Sequence, residues 1–328
     1  MIAAAVAVIT VTGLAEGGGP KPDAAISSLP TKRITSEAPS TADSPAPSHA
    51  SAAGRSVVLL GDSLAAGEGA GAYLTGTDVP GRRCHRSSAA LFSGTGAVVT
   101  NAACSRAIAA HLTAPQEDEV YNVQPEPPQL SVLGTEVADI TVIMVGGNDI
   151  RFAEIFNECV LAEADCTSAP GFVSRALAAA KALPGKLAEA YRQVASASPG
   201  SVVLVPAYPQ LLGNETSGCG RISSSEAVFA RNLTVALNSS IREAARSASA
   251  GGRTVHFIPD TAGSLAGHGA CDPQPFVHTV RPTALMGTAQ NPGKAQELLH
   301  PTATGYRDLT KALTQWLDTH PAAKKATE

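Results

Sequence analysis

Five short apolar runs punctuate the chain, at residues 57–60, 97–100, 140–145, 202–205 and 255–258. Each is rich in β-branched side chains and almost free of polar interruption, the pattern of strands covered on both faces of a parallel sheet. Between the later runs, helical periodicity spans residues 172–197, interrupted at Pro184, then 225–248 and 303–317. In the middle one, Val228, Phe229, Leu233, Val235, Leu237 and Ile241 recur mostly at three- and four-residue steps, which predicts a packed core face. Strands alternating with helices predict an α/β fold with a central parallel sheet and helices on both faces. No internal repeat is visible, which excludes a solenoid. Residues 263–296 read as a loop-rich surface insertion, not as a second domain.

The flanks differ in kind. Residues 1–15 are almost wholly apolar ahead of the glycines at 17–19. They are too few to cross a bilayer, which takes about 20 residues, so they predict a signal-peptide core or an anchor remnant, although a basic leading region is absent. Residues 16–55 are rich in Ala, Ser, Thr and Pro with few large apolar side chains, which predicts a disordered stalk. The folded domain is expected over 56–319, with a flexible tail at 320–328. The chain is thus expected to be a bacterial protein, secreted or tethered by its N-terminus to a membrane or cell-wall surface.

Composition narrows the partners. The 328 residues are 44% hydrophobic, with one Trp, five Tyr and seven Phe, so the core must rest on Ala, Val, Leu and Ile. Lys and Arg number 24 against 28 Asp and Glu, a net charge of −4, and no basic stripe appears, which excludes a nucleic-acid partner. Six cysteines, at 84, 104, 159, 166, 219 and 271, form no CxxC pair and no tight cluster with histidine, which argues against structural zinc. An even number of scattered cysteines behind an exported-looking start predicts three disulfides in an oxidising compartment. Spacing leaves all fifteen pairings open.

Chemistry gathers at three places. Gly61-Asp62-Ser63 ends the first apolar run, and ligands of open α/β sheets collect outside the carboxyl ends of the strands. Gly61 permits a sharp turn and keeps the hydroxyl accessible, although a serine after a strand is also an ordinary helix cap. Gly146-Gly147-Asn148-Asp149 repeats the layout after the third run. Asn148 can offer a neutral amide N–H to a developing oxyanion, but Asn and Gly are also turn formers. Leu299-His300-Pro301 precedes the last helix, and an imidazole there can take a proton from a serine hydroxyl and return it to a leaving group.

Together, Gly61-Asp62-Ser63-Leu64, Gly146-Gly147-Asn148-Asp149 and His300-Pro301 resemble the blocks of the GDSL or SGNH hydrolase family. Cys84-His85-Arg86-Ser87 and Asn101-Ala102-Ala103-Cys104-Ser105 resemble its actinobacterial secreted lipase and esterase branch. The likeness spans about residues 56–317 and implies a flavodoxin-like three-layer α/β/α sandwich. It further implies Ser63 as nucleophile, His300 as general base, and Asn148 with the Ser63 backbone N–H as oxyanion donors. The branch resemblance suggests the pairs Cys84–Cys104, Cys159–Cys166 and Cys219–Cys271, with His85 and Arg86 in a disulfide-held loop where Arg86 can also meet an anionic substrate group.

Two positions depart from the family pattern. Where it places a glycine that supplies a further oxyanion N–H, this chain has Arg106, which keeps the N–H but resists the positive φ that glycine accepts. Where it places Asp, three residues before the histidine, this chain has Glu297. Either its carboxylate or its backbone carbonyl is then expected to orient the imidazole.

The implied activity is a serine esterase or lipase working through an acyl-enzyme on small ester or lipid substrates, with no cofactor and no metal. Asp149 is expected to anchor the loop that presents Asn148. Three other readings compete. An α/β-hydrolase would need Gly-x-Ser-x-Gly, which Ala65 breaks. A binding module that has lost catalysis on the same fold is favoured by Arg106 and the missing Asp. A deacetylase of cell-wall glycans is disfavoured by the few aromatics available to stack on sugars.

Overall fold

All five apolar runs become strands of one sheet. The computed structural model describes residues 52–77, 84–118, 123–134, 138–162, 164–213, 219–220, 222–250, 252, 254–290 and 293–320. The expected leader at 1–15, most of the stalk and the tail beyond His320 lie outside the described residues. In chain order the elements are β1 (Ser56–Gly61), α1 (Ser63–Ala66), β2 (Val98–Asn101), β3 (Gln116–Asp118), β4 (Val123–Glu126), β5 (Ile140–Met144), α2 (Phe152–Phe156), α3 (Phe172–Lys181), α4 (Pro184–Ala197), β6 (Val202–Pro206), α5 (Ser224–Ala248), β7 (Val255–Ile258), α6 (Pro282–Gln290), α7 (Gly293–Glu297) and α8 (Ala303–Thr319).

The main sheet runs β2-β1-β5-β6-β7, every neighbour parallel. β5 and β6 are buried along their whole length, whereas Val98 on the edge strand β2 is 68% exposed. The chain steps from β1 out to β2, then returns past β1 to β5. Right-handed crossovers in those two directions leave on opposite faces, so the layers are α/β/α and a crevice opens at the carboxyl ends of β1 and β5. The helices α3 and α4 both pack on α5, while Tyr306 of α8 reaches α1 and donates to the carbonyls of Ser63 and Glu68.

Local sequence explains the element boundaries. Pro184 takes the first position of α4, where its missing N–H costs nothing, and so divides the long periodic stretch into two helices. Ser223 caps α5 by accepting from the Glu226 N–H, and the Glu226 carboxylate accepts the Ser223 N–H in return. Within α5, Phe229, Leu233, Leu237 and Ile241 are buried, but Val228 and Val235 are about half exposed. Four-residue steps drift slowly round a helix and keep the first four residues on one side; Val228 and Val235 fall on the other.

Three regions differ from the sequence reading. Ala52 is fully buried and the Gly54 N–H donates to the Gly96 carbonyl, so packing begins four residues before Ser56. Residues 263–296 hold α6 and α7, and Leu265, Ala270, Val277 and Val280 join Leu212, Ile222 and Leu299 in a second apolar cluster. The antiparallel pair β3 and β4 was not signalled at all.

Disulfides join Cys84 to Cys104, Cys159 to Cys166 and Cys219 to Cys271, and no described cysteine is free. The last closes a 52-residue separation inside the second cluster, the second only 7 residues. Loop-closure entropy makes the longer bridge worth about 4 kcal/mol against about 2 for the shorter. Replacing Cys219 and Cys271 together by alanine is therefore expected to lower the urea unfolding free energy about twice as far as the same change at Cys159 and Cys166. Equilibrium denaturation of the two variants measures the difference.

Candidate active site

β1 delivers Ser63 to the switch-point crevice. At its end Gly61 has φ 130°, and a Cβ there would lie 1.9 Å from the Met144 carbonyl oxygen of β5, so only glycine fits. β2 has ended by this level, and the Gln129 amide takes its place, accepting the Gly61 N–H and donating to the Gly61 carbonyl at 2.7 and 2.9 Å. The cap of α1 is Asp62, whose carboxylate accepts the Leu64 N–H at 3.0 Å. The capping role thus falls to residue 62, and the Ser63 hydroxyl is left for His300. As the first helical residue, Ser63 also carries a backbone N–H with no acceptor inside α1.

His300 Nε2 lies 2.7 Å from Ser63 Oγ, and His300 Nδ1 lies 3.1 Å from the Leu298 carbonyl oxygen. A carbonyl only accepts, so Nδ1 carries the proton and Nε2 is the acceptor facing the serine hydroxyl. Leu299 has φ 57°, a left-handed conformation that costs a residue with a Cβ about 1–2 kcal/mol. It is pinned there by the Leu299 N–H on the His278 carbonyl and the His300 N–H on the Glu297 carbonyl. This kink turns the Leu298 carbonyl toward the imidazole. Burial lowers the His300 pKa, against the charge of Glu68 and the carbonyls of Leu298 and Gln296, which raise it.

Glu297 therefore departs from both expectations. Its carboxylate receives Lys294 Nζ at 2.9 Å and the Tyr73 hydroxyl at 3.0 Å, and its carbonyl takes the His300 backbone N–H, not the ring. At the end of α7 the side chain is held by Lys294 and Tyr73, and the residue that meets Nδ1 is one position further on. A backbone carbonyl has no residue signature, so no sequence signal could have found it.

Asn148 follows β5 and lines the same pocket as Ser63 and His300. One amide N–H donates to the Ala107 carbonyl at 3.1 Å, and the amide carries a second. The Asp149 side chain is buried and holds this loop: its carboxylate accepts the Ala109 N–H at 3.0 Å and meets Lys186 Nζ at 2.6 Å. Arg106 is exposed and has φ 64°, so the arginine takes the left-handed conformation that glycine would favour. Arg86 is engaged elsewhere, by the Ala103 carbonyl and the Glu126 carboxylate.

Two buried polar groups next to Ser63 were not singled out by sequence. The Asp62 carboxylate accepts the Tyr208 hydroxyl, and that hydroxyl accepts the Gly147 N–H at 3.2 Å, so one hydrogen-bond chain links the turns after β1 and β5. Burial pushes Asp62 up to about 7, with the Tyr208 and Leu64 hydrogen bonds pulling the other way. The second group, Glu68, is 1% exposed, with its carboxylate on His85 Nδ1 and Ser105 Oγ at 2.9 and 2.6 Å.

From Ser63 and His300 a pocket with a cavity volume of about 120 Å³ extends between α2, α5 and the loop after β6. Its lining is largely apolar, including Phe152, Phe156, Leu211, Phe229, Leu233 and Leu237. A hydroxyl on an imidazole acceptor, amide donors beside it and an apolar recess together can attack, stabilise and seat an acyl group.

A family model described as the GDSL-like Lipase/Acylhydrolase family matches residues 59–307. Lipase 1 of Streptomyces coelicolor is 30% identical over 264 residues, 77% of this chain and 83% of that protein. A lipase of Streptomyces rimosus is 30% identical over 230 residues, 68% of this chain and 76% of that protein. Among solved structures, an extracellular lipase from Streptomyces rimosus superposes with a TM-score of 0.62 at 24% identity, covering 80% of this chain and 99% of that one. Phospholipase A1 from Streptomyces albidoflavus superposes with a TM-score of 0.59 at 25% identity, covering 80% and 98%.

Proposed function

Because the chain belongs to the GDSL-like lipase/acylhydrolase family and is a carboxylic ester hydrolase, we propose that it is a secreted enzyme that cleaves acyl esters with a serine–histidine dyad. Ser63 Oγ attacks the ester carbonyl while His300 Nε2 takes its proton. The tetrahedral oxyanion is met by the Ser63 backbone N–H and the Asn148 amide, with the Arg106 N–H as third donor. His300 then protonates the leaving alcohol, and water, deprotonated by the same imidazole, releases the acid from the acyl-enzyme. The Leu298 carbonyl keeps the ring in the right tautomer. The observation that carries this reading is the 2.7 Å contact between His300 Nε2 and Ser63 Oγ at the head of an apolar pocket.

The pocket also supports a substrate class. Its aliphatic and aromatic lining suits the chain of a fatty acyl group more than the acetyl group of a glycan. Turnover of p-nitrophenyl butyrate, octanoate and laurate is expected to exceed that of the acetate. Secretion is supported by three disulfides, which persist only where thiols oxidise, and by the likeness to an extracellular lipase.

Covalent labelling tests the chemistry. A fluorophosphonate is expected to modify the folded protein once, and mass spectrometry of the peptides is expected to find the adduct on Ser63. An unlabelled protein, or an adduct elsewhere, would remove the dyad.

The acidity of His300 sets the pH dependence. Its pKa in the fold is below 6.5, and the attacking form is the neutral ring. Activity therefore persists as pH falls through 6.5 and declines only as pH passes the lower, folded value. The acid limb of kcat/KM is expected below pH 6.5, as a pH–rate profile on a neutral ester will report.

A further inference from the structure

Among the described residues no carboxylate reaches Nδ1 of His300, yet a buried one stands close by with no part in the dyad chemistry. Glu68 sits just after α1, five residues from the nucleophile, and its N–H donates to the Ser63 carbonyl at 3.0 Å. Its own carbonyl accepts the Tyr306 hydroxyl at 3.0 Å. The next residue, Gly69, packs on the histidine itself: a Cβ there would lie 3.0 Å from His300 Cβ, and the Gly69 carbonyl accepts His278 Nε2–H at 2.7 Å. Glu68 thus belongs to the strip of backbone that carries both Ser63 and the wall behind His300.

The carboxylate is clamped from two sides that share one covalent tie. His85 and Ser105, which hold its two oxygens, follow Cys84 and Cys104, and those cysteines are bonded to each other. Ser105 in turn precedes Arg106. Burying a charge so completely is costly unless it is paired and hydrogen-bonded, and a fold that needed only packing here could use an apolar side chain of the same size.

We propose that Glu68 is an anionic positioning residue: its buried carboxylate, fixed by the Cys84–Cys104 loop, stabilises the imidazolium of His300 through space in place of a triad acid. As His300 takes the serine proton its ring becomes positive, and a fixed negative charge in a poorly hydrated site favours that state. Burial would raise the carboxyl's pKa, but the hydrogen bonds from His85 and Ser105, with the charges that His300 and His85 carry when protonated, outweigh it and leave it lowered. Of the other groups facing the ring, His278 opposes its protonation, while Glu297 is paired with Lys294 and Tyr73. Besides the Ser105 hydroxyl on its carboxylate, Glu68 has the Tyr306 hydroxyl on its backbone carbonyl, and its charge raises the pKa of Tyr73.

The inference rests on the dyad reading, and the two are separable. Glu68→Gln keeps the shape and removes the charge. Removing one member of a buried pair can unfold a protein, so Glu68→Gln with His85→Gln is made beside it. In variants folded by circular dichroism, the acid limb of kcat/KM is expected to move to lower pH by about one unit and kcat to fall about tenfold, with KM within about twofold. Glu68→Asp, which keeps the charge, is expected to bring the limb most of the way back. An unmoved limb in a folded Gln variant, or an Asp variant displaced as far as the Gln one, overturns the role of Glu68. Ser63→Ala is assayed in parallel: turnover surviving there defeats the dyad itself, whereas an inactive Ser63→Ala beside an unmoved limb defeats only the inference.

Discussion

Replacing Ser63 by alanine is expected to lower kcat for ester hydrolysis by about 10⁴- to 10⁶-fold, and replacing His300 by alanine to cost a similar factor. The double variant should be no slower than either single one, because a hydroxyl without its base and a base without its hydroxyl are equally idle. Residual turnover above water would come from the oxyanion donors, which neither change removes. Glu297→Gln provides the contrast. Its carboxylate lies with Lys294 and Tyr73, and His300 Nδ1 is already satisfied by Leu298, so kcat should change by only a few-fold. Single-turnover and steady-state kinetics of the four variants separate these outcomes. A Glu297→Gln variant as slow as His300→Ala would show that the carboxylate orients the ring during turnover.

Gly61→Ala is expected to abolish the folded protein. The added methyl would meet the carbonyl oxygen, carbon and nitrogen of Met144 at 1.9, 2.6 and 2.9 Å, all backbone atoms of the neighbouring strand. They cannot give way without parting β1 from β5, and φ 130° is itself unfavourable for alanine. A cost above about 4 kcal/mol, enough to unfold a marginal domain, is anticipated. Gly146 lies two residues beyond β5 at the same φ, yet a methyl there would meet only side-chain methyls, Leu237 Cδ1 at 3.4 Å and Leu187 Cδ1 and Cδ2 at 3.6 and 3.8 Å, which can turn aside. Gly146→Ala should cost about 1–2 kcal/mol and leave a folded enzyme. Circular dichroism and thermal midpoints of the two variants measure the contrast.

The strands were legible because a strand covered on both sides must be apolar at nearly every position, and 57–60, 140–145 and 202–205 are. Helix α5 was legible through its period, but mixing three- and four-residue steps put Val228 and Val235 on the packed face, from which the four-residue row Phe229, Leu233, Leu237 and Ile241 sets them apart. The pair β3 and β4 escaped because Gln116-Glu117-Asp118 carries no apolar alternation. α6 begins with a proline in a favoured first position, a signal masked by the glycines and polar residues around it. Ser63, Asn148 and His300 were found because their chemistry needs particular side chains beside particular glycines. The partner of Nδ1 was not, since any residue has a carbonyl, and what aims this one is the kink at Leu299. Glu68 lay in plain view in Gly67-Glu68-Gly69, but its burial and its neighbours His85 and Ser105 exist only in three dimensions.

The pairing of Gly61 with Met144 across β1 and β5 fixes more than a turn. Successive side chains of a strand face opposite ways, about 3.3 Å apart. A single residue inserted into either strand would carry Ser63 or Asn148 one step along and onto the wrong side, so hydroxyl and carboxamide would no longer look into a common space. Evolution and design are therefore held to fixed lengths at residues 56–61 and 140–144, while the segments that wall the recess, such as 152–161 and 209–211, can lengthen or shorten without touching the reaction. Changes in preferred substrate should accordingly arise by remodelling those segments and never by sliding the strands.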